Sequence, residues 1–444
     1  MDRATATPQV EELPGPRARD RVEYHGSLAA PSTYVYGFVW DVTEPAIGPF
    51  CTDADGNVLL DFTGHVGAAP LGYNNPALLE RMADFEMVDP VKIAGQDFYS
   101  TAGDPLDPAL PGPAELMDRI VELSPDGHDT VFLSNSGAEA VENAIKICYD
   151  HTDGKYGITF GGAFHGRTLA TLSLNRSKEV YRRKFPEIAA VEDAPFCRDS
   201  ACTRATCECG FFAGDTSQLR RMLHPETGHV NPDEVAYVIL EPIQGEGGYH
   251  VPSEPFMREV ADLCTDHGIP LIADEIQSGT GRTGDFWASD GFPIEPDVIC
   301  AAKGARVGVT VASADVFPEE TSRLSSTWGA GDIVDSMQGA LTIDVIREQN
   351  LMENADRRGR QAKAALADAE IPNLVDVRGR GLMLAVEFDT KQRRDDVLEA
   401  AMQRGLLTLG CGRKTLRLLP PLDVREREIR IGVDLLAEAA RAAN

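Results

Sequence analysis

Lys303 and Asp274 are the residues whose setting points most directly to chemistry. Each closes a short apolar run, PLIAD at 270–274 and DVICAAK at 297–303, that reads as a buried strand with a polar tip. A partly desolvated lysine at a strand end is a good amine for condensing with an aldehyde. A carboxylate on a neighbouring tip keeps a pyridine nitrogen protonated. Together they point to pyridoxal 5'-phosphate, with Lys303 as the Schiff-base residue and Asp274 as the pyridinium partner. Taken singly, each also has an ordinary reading as a solvated surface charge, so the surrounding segments have to decide.

Three further segments supply matching groups. SNSGAEAVENAIK (134–146) places Ser136, Gly137 and Ala138 where a strand turns into an amphipathic helix. A helix start exposes unpaired N–H groups, and glycine lets a phosphate approach the backbone, although the same residues also begin ordinary helices. AFHGRTLATLSL (163–174) offers the Phe164 ring for stacking, the His165 imidazole, and the Arg167 guanidinium for a carboxylate. Their plainer readings are a core ring, a satisfied histidine and a surface ion pair. EPIQGEGGYH (241–250) adds Glu246, and TLRLLPPL (415–422) carries Arg417 inside an apolar strand, where an unpaired charge would be costly.

The elements that must position these groups follow from hydrophobic period. Strands are expected at 130–134, 156–160, 235–241, 270–275, 297–302 and 307–312, with helices at 138–150 and 254–267 between them and one at 113–124 before them. This alternation predicts an α/β fold with a mostly parallel central sheet covered on both faces and ligands at the carboxyl ends of its strands. Before it, residues 1–30 read as a loose polar arm and 31–80 as a small antiparallel element with an Asp55-Gly56 turn. After it, 336–444 reads as a small α+β domain, with one long helix over 334–369, strands near 381–388, 406–410 and 415–419, and a helix near 395–404. The large cofactor domain is thereby expected to span 81–335.

Composition narrows the partners. A net charge of −28, from 70 acidic against 42 basic residues, argues against nucleic acid and anionic membrane. Arginines outnumber lysines 33 to 9, and a dense acidic surface with so few lysines suggests adaptation to high salt. The longest apolar runs fall short of the roughly 20 residues that cross a bilayer. Charges and prolines stand where a signal peptide would be apolar, so a cytoplasmic location is expected. Cys197, Cys202, Cys207 and Cys209 crowd into CRDSACTRATCECG (197–210) and are candidate metal ligands, but they lack paired C-x-x-C knuckles. The alternative is a solvent-facing insert whose thiols stay free or pair under oxidation.

In order along the chain, SGAEAVE, FHGRT, EPIQGEGG, ADEIQSGTGRTG, the Lys303 segment and STWG resemble the class III (omega) aminotransferases, pyridoxal-phosphate enzymes of fold type I. The likeness runs from DADGNVLLDFTGHVGAAPLGYNNPAL (53–78) to TLRLLPPL and covers nearly the whole chain. It implies a large domain plus a small domain built from both termini. It further implies that Lys303 bonds the cofactor aldehyde and shuttles a proton, Asp274 pairs with the pyridine nitrogen, and Gln277 reaches the ring hydroxyl. Ile276 and Phe164 would pack the two ring faces, while the amides of Gly137 and Ala138 would hold the phosphate. Thr327 would cap the phosphate of a partner subunit in a homodimer.

By the same resemblance, Arg167 matches the residue for a carboxylate distal to the reacting amine. Arg417 matches the residue for the α-carboxylate of 2-oxoglutarate, and Glu246 the glutamate that neutralises that arginine when an omega-amine is bound. The expected reaction moves the amino group of 4-aminobutyrate, of the lysine side chain or of a similar omega-amino acid to 2-oxoglutarate. GARVGVTVAS (304–313) lacks the glycine-rich pattern common in acetylornithine and ornithine enzymes, and SRLSSTWGAGDIVDSM (322–337) resembles lysine 6-aminotransferases and animal-type 4-aminobutyrate aminotransferases. A racemase or aminomutase on the same fold is the alternative, because fold does not fix reaction.

Overall fold

The computed structural model describes all residues except 34–36, 84–95, 97–100, 102, 189, 328 and 444. Trp328 of the STWG motif therefore lies outside the described residues. The chain divides into two compact units, one of Met1–Glu80 with Glu353–Asn444, the other of Arg81–Met352. Residues 336–352, expected with the C-terminal domain, thus belong to the larger unit.

The larger unit is built on seven strands and the helices between them. They are β1 (Thr130–Ser134), α1 (Gly137–Thr152), β2 (Tyr156–Phe160), β3 (Ala190–Ala194), β4 (Val235–Leu240), α2 (Glu254–His267), β5 (Leu271–Asp274), β6 (Val298–Ala301) and β7 (Gly308–Ala312). In the sheet they run β1–β7–β6–β5–β4–β2–β3. Only β7 is antiparallel to its neighbours, β6 and β1. Every residue of β4, β5, β6 and β7 is buried, as unbroken apolar runs such as VAYVIL require of strands covered on both faces. α1 is capped by the Ser136 hydroxyl, which accepts from the Glu139 amide, and it turns Ala140, Val141, Ala144, Ile147 and Cys148 onto the sheet.

The expected helix over 334–369 is two helices, α3 (Ile333–Glu348) and α4 (Leu351–Asp368). Asp332 caps the first by accepting from the amides of Val334 and Asp335. Asn350 then adopts φ +51°, a left-handed conformation that asparagine tolerates and that ends a helix.

In the smaller unit, β8 (Leu374–Arg380), β9 (Met383–Phe388), β10 (Leu409–Cys411) and β11 (Thr415–Leu418) form an antiparallel sheet in the order β8–β9–β11–β10, with helices α5 (Lys391–Met402) and α6 (Glu426–Ala442). β8 was not expected, because LVDVRGR is a polar, half-exposed edge strand without a clear period. The single strand anticipated at 406–410 is split. Leu406–Leu407 pairs with Val58–Asp61, and β10 joins β11, so the chain changes sheets at Thr408.

The N-terminal arm is not loose. Pro16–Leu28 is a helix whose first amides, from Arg17 and Ala18, donate to the Asp55 carboxylate at 2.8 Å each. Arg3 is 8% exposed and donates to Glu428 Oε1 at 2.7 Å and to Asp423 Oδ2 at 2.5 Å. Its polar residues serve buried ion pairs and caps rather than water, a use that composition does not reveal. No helix of the described residues is long and apolar enough to cross a membrane.

Candidate active site

Five strands of the larger unit deliver the expected residues at their carboxyl ends. Ser136 and Gly137 follow β1, Phe164 and His165 lie in the loop after β2, Glu241 and Glu246 follow β4, Asp274 closes β5, and Lys303 follows β6 by two residues. Asp274 sits opposite Cys300 in the parallel β5–β6 register, so the strand tips bearing Asp274 and Lys303 are neighbours.

Asp274 and His165 form a buried pair. The His165 Nδ1 lies 2.8 Å from Asp274 Oδ2, with the two side chains 0% and 4% exposed. The other carboxylate oxygen accepts the Ile276 amide at 3.1 Å. His165 is held in turn, its own amide donating to Asn175 Oδ1 at 2.7 Å while Nε2 lies 3.4 Å from Thr159 Oγ1. A carboxylate so far from water persists only with donors or a cation around it, and a protonated pyridine N–H is such a donor.

Glu241 ties the two neighbouring loops together. Its carboxylate accepts the amides of Phe164 at 3.0 Å and of Gly245 at 2.8 Å, one from each loop. Burial pushes its carboxyl up to about 7; His165 opposes the shift and the Asp274 charge adds to it. Glu275, adjacent to Asp274, has a purely local task. It accepts from the Ser278 hydroxyl at 2.5 Å and the Ser289 amide at 2.7 Å, closing the loop after β5, and burial pushes it up to about 6.

Glycines keep this region tight. A Cβ on Gly137 would stand 2.8 Å from Ile276 Cδ1, and one on Gly245 would stand 2.8 Å from Gln277 Oε1. The start of α1 is thereby pressed against the loop that carries Ile276 and Gln277. The amides of Gly137 and Ala138 lie in the first helical turn, where no intrahelical acceptor exists. Thr327 is exposed and its carbonyl accepts the Ala330 amide at 3.0 Å. The following Gly329 sits against Asn135, so this turn packs on the chain's own β1–α1 junction.

Beside the loop after β2 lies a charged group that sequence reasoning missed in part. The Arg167 guanidinium stacks over the rings of Tyr181 at 4.6 Å and Phe164 at 5.6 Å. The Tyr181 hydroxyl donates to Glu246 Oε1 at 2.8 Å, and Lys178 forms an ion pair with the same oxygen. Burial and then the Glu246 charge raise the Tyr181 hydroxyl above its usual range. Lys178 is the N-cap residue of the short helix Glu179–Arg182 that carries Tyr181, and nothing in the sequence marked either residue in advance. Arg417 is in the smaller unit, buried in β11 between Ala385 and Leu409 of the flanking strands.

The four clustered cysteines occupy the loop after β3 and are not part of this constellation. The remaining five, Cys51, Cys148, Cys264, Cys300 and Cys411, are buried free thiols.

The residues present fit pyridoxal phosphate. A buried Asp274 oriented by His165 suits the pyridine nitrogen, the open amides at the start of α1 suit a phosphate, and Lys303 stands on the strand tip next to Asp274.

Comparison with known proteins agrees. Residues 38–440 match the family model Aminotransferase class-III. The acetylornithine aminotransferase of Methanopyrus kandleri is 33% identical over 90% of this chain and 94% of its own length. The 4-aminobutyrate aminotransferase of Mycobacterium leprae is 32% identical over 96% of each chain. The alanine/serine racemase of Pyrococcus horikoshii is 28% identical over 97% of this chain and 92% of its own length. Among solved structures, the lysine aminotransferase of M. tuberculosis in its internal aldimine form superposes with a TM-score of 0.84 at 29% identity, covering 96% of this chain and 99% of that one. The acetylornithine enzyme ranks with the 4-aminobutyrate enzyme, so whole-chain similarity does not follow the local patterns of 304–313 and 322–337. With its strand-end site and with residues 38–440 spanned by the family model, the chain belongs to the class III aminotransferases, pyridoxal-phosphate enzymes of fold type I.

Proposed function

We propose that this enzyme moves the amino group of an omega-amino acid, 4-aminobutyrate or lysine through its side-chain amine, to 2-oxoglutarate, giving a semialdehyde and glutamate. The observation that carries this reading is Arg167. Its guanidinium is exposed, stacked on Tyr181 and Phe164, and has no ion pair among the described residues. A guanidinium placed over aromatic rings and not taken up by a carboxylate of the described residues keeps its N–H groups for a substrate carboxylate, which an omega-amino acid carries far from its reacting amine.

Pyridoxal phosphate, when bound, supplies the aldehyde that takes up the amino group and the electron sink that lets the neighbouring proton leave. Lys303 Nζ takes that proton and returns it. Asp274 holds the proton on the ring nitrogen, and His165 fixes the carboxylate that does so. The amides of Gly137 and Ala138 bind the phosphate, Gln277 the ring hydroxyl, and Phe164 and Ile276 enclose the ring. Arg417 receives the α-carboxylate of 2-oxoglutarate, and Glu246 neutralises it during the other half-reaction, so charge matching gives the dual specificity. Thr327 caps the partner's phosphate in a cytoplasmic homodimer, and the acidic surface reflects a saline interior.

Racemisation is the second reading, favoured by the 28% identity to an alanine/serine racemase. Cofactor-loaded enzyme is incubated with 2-oxoglutarate and 4-aminobutyrate, lysine, acetylornithine or ornithine, and glutamate is measured. Glutamate from 4-aminobutyrate or lysine is the expected result. Racemised amino acid without glutamate would overturn the assignment.

A further inference from the structure

Between β3 and the hairpin that pairs Phe212–Ala213 with Thr216–Ser217, the chain runs from Pro195 to Phe211 without helix or strand. Loops of this length without internal structure need something to hold them. From residue 198 to 210 every side chain is exposed except three, Cys202, Cys207 and Cys209. Cys197 precedes them and is fully buried. Between residues 197 and 210 the inward-facing side chains are thus all thiols.

Turns bring them together. The Cys202 amide donates to the Asp199 carbonyl at 3.0 Å and the Thr206 amide to the Thr203 carbonyl at 3.2 Å, and Gly210 takes φ +85° just past Cys209. The Sγ atoms of Cys197, Cys202 and Cys209 all lie within 4.8 Å of one another, and Cys207 Sγ is 3.1 Å from Cys209 Sγ. Four thiolates around one zinc ion, with bonds of about 2.3 Å, stand about 3.8 Å apart. The sulfurs of Cys197, Cys202 and Cys209 are close enough to reach that spacing, and Cys207, placed beside Cys209, is the fourth thiol at hand. An iron–sulfur cluster divides its four thiolates among two or four irons, so thiolates on different irons stand farther apart.

The surroundings suit such an ion. The Phe212 amide donates to Cys207 Sγ at 3.4 Å, and Cys197 Sγ lies 3.5 Å from the Ser253 hydroxyl, contacts that orient metal-bound thiolates. Phe196, Phe211, Phe212 and Phe256 pack behind the thiols and exclude water on that side. On the other side an open pocket of about 660 Å³, bordered by Arg198, Asp199, Thr206 and Glu208 beside Cys202 and Cys209, gives an ion entry.

We propose that Cys197, Cys202, Cys207 and Cys209 form a tetrahedral site for one structural zinc ion that fastens this loop to the core of the larger unit. Binding exchanges the four thiol protons for the metal and involves no change of oxidation state. With all four positions filled by protein sulfur, no coordination site is left for substrate, so the ion acts on stability and not on amino transfer.

The test is metal content of the cofactor-loaded enzyme, measured by mass spectrometry of the elements. One zinc per chain is expected, and growth on cobalt should give the intense visible bands of a tetrahedral thiolate complex. Cys202→Ser and Cys209→Ser should each lower bound zinc about tenfold or more. Zinc-free enzyme, a disulfide within the cluster, or iron with sulfide in place of zinc would overturn the proposal. Because the wild-type measurement decides by itself, a variant that failed to fold would not blunt the test.

Discussion

The strand-end site and the cysteine loop are encoded in opposite ways. His165 and Asp274, joined at 2.8 Å, are 109 positions apart in the chain, and each reaches the other only because β2, β4 and β5 are successive neighbours in the sheet. All four cysteines fall within 197–209 and meet through tight local turns. The first arrangement can be assembled only by the whole sheet, so its geometry is as rigid as the core. The second is gathered by one short stretch of chain. Chemistry that needs sub-ångström placement therefore belongs to the first, and fastening to the second.

The sharpest way to break this contrast is Lys303→Ala. It should lower kcat for glutamate formation by about 10⁴-fold, the upper range for loss of a positioned proton carrier, and leave the zinc content at one per chain. Asp274→Asn follows, with a loss of roughly 10³-fold from removing the charge that holds the ring proton. His165→Asn should cost about 10- to 100-fold, the worth of a hydrogen bond to a charged group. As His165 is a positioning residue, its variant should also move the pH at which the bound cofactor's absorbance changes, which a merely structural lesion would not.

From the side of the cysteine loop, stripping zinc with a thiol-blocking mercurial followed by chelation should lower Tm by about 5 °C or more. Glutamate formation below the transition should stay within about twofold. A large loss of turnover at unchanged Tm would erase the distinction between the two regions.

Glu241 gives the smallest effect and tests the rigidity of the strand-end region. Its folded carboxyl is raised to about 7, above the ordinary value of 4.5 that it regains on unfolding. Between those values the folded protein binds the extra proton, so stability falls as pH rises through this window, by roughly 3 kcal/mol in all. Glu241→Gln cannot titrate, and the decline of Tm between about pH 5 and about pH 8 should become shallower in this variant. Equal declines would show that Glu241 carries no excess proton when folded.

Much of the strand-end region was legible because unbroken apolar runs mark buried parallel strands, and their ends mark the ligand face. Asp274, Lys303 and the start of α1 were readable on that ground. Lys178 and Tyr181 were not, since nothing in SKEVYRRK separates residues that face Glu246 from those that face water. The N-terminal arm misled for a related reason. Arg3 looks like any solvated arginine until Asp423 and Glu428, more than 400 positions away, enclose it.

By itself the sequence determined the class of fold, the family, and which residue types could serve a pyridine ring, a phosphate and a carboxylate, because those follow from period and from side-chain chemistry. Only the tertiary structure decided that His165 holds Asp274 and that Glu241 bridges two loops. Each of those facts is a distance between positions whose separation along the chain says nothing about their separation in space.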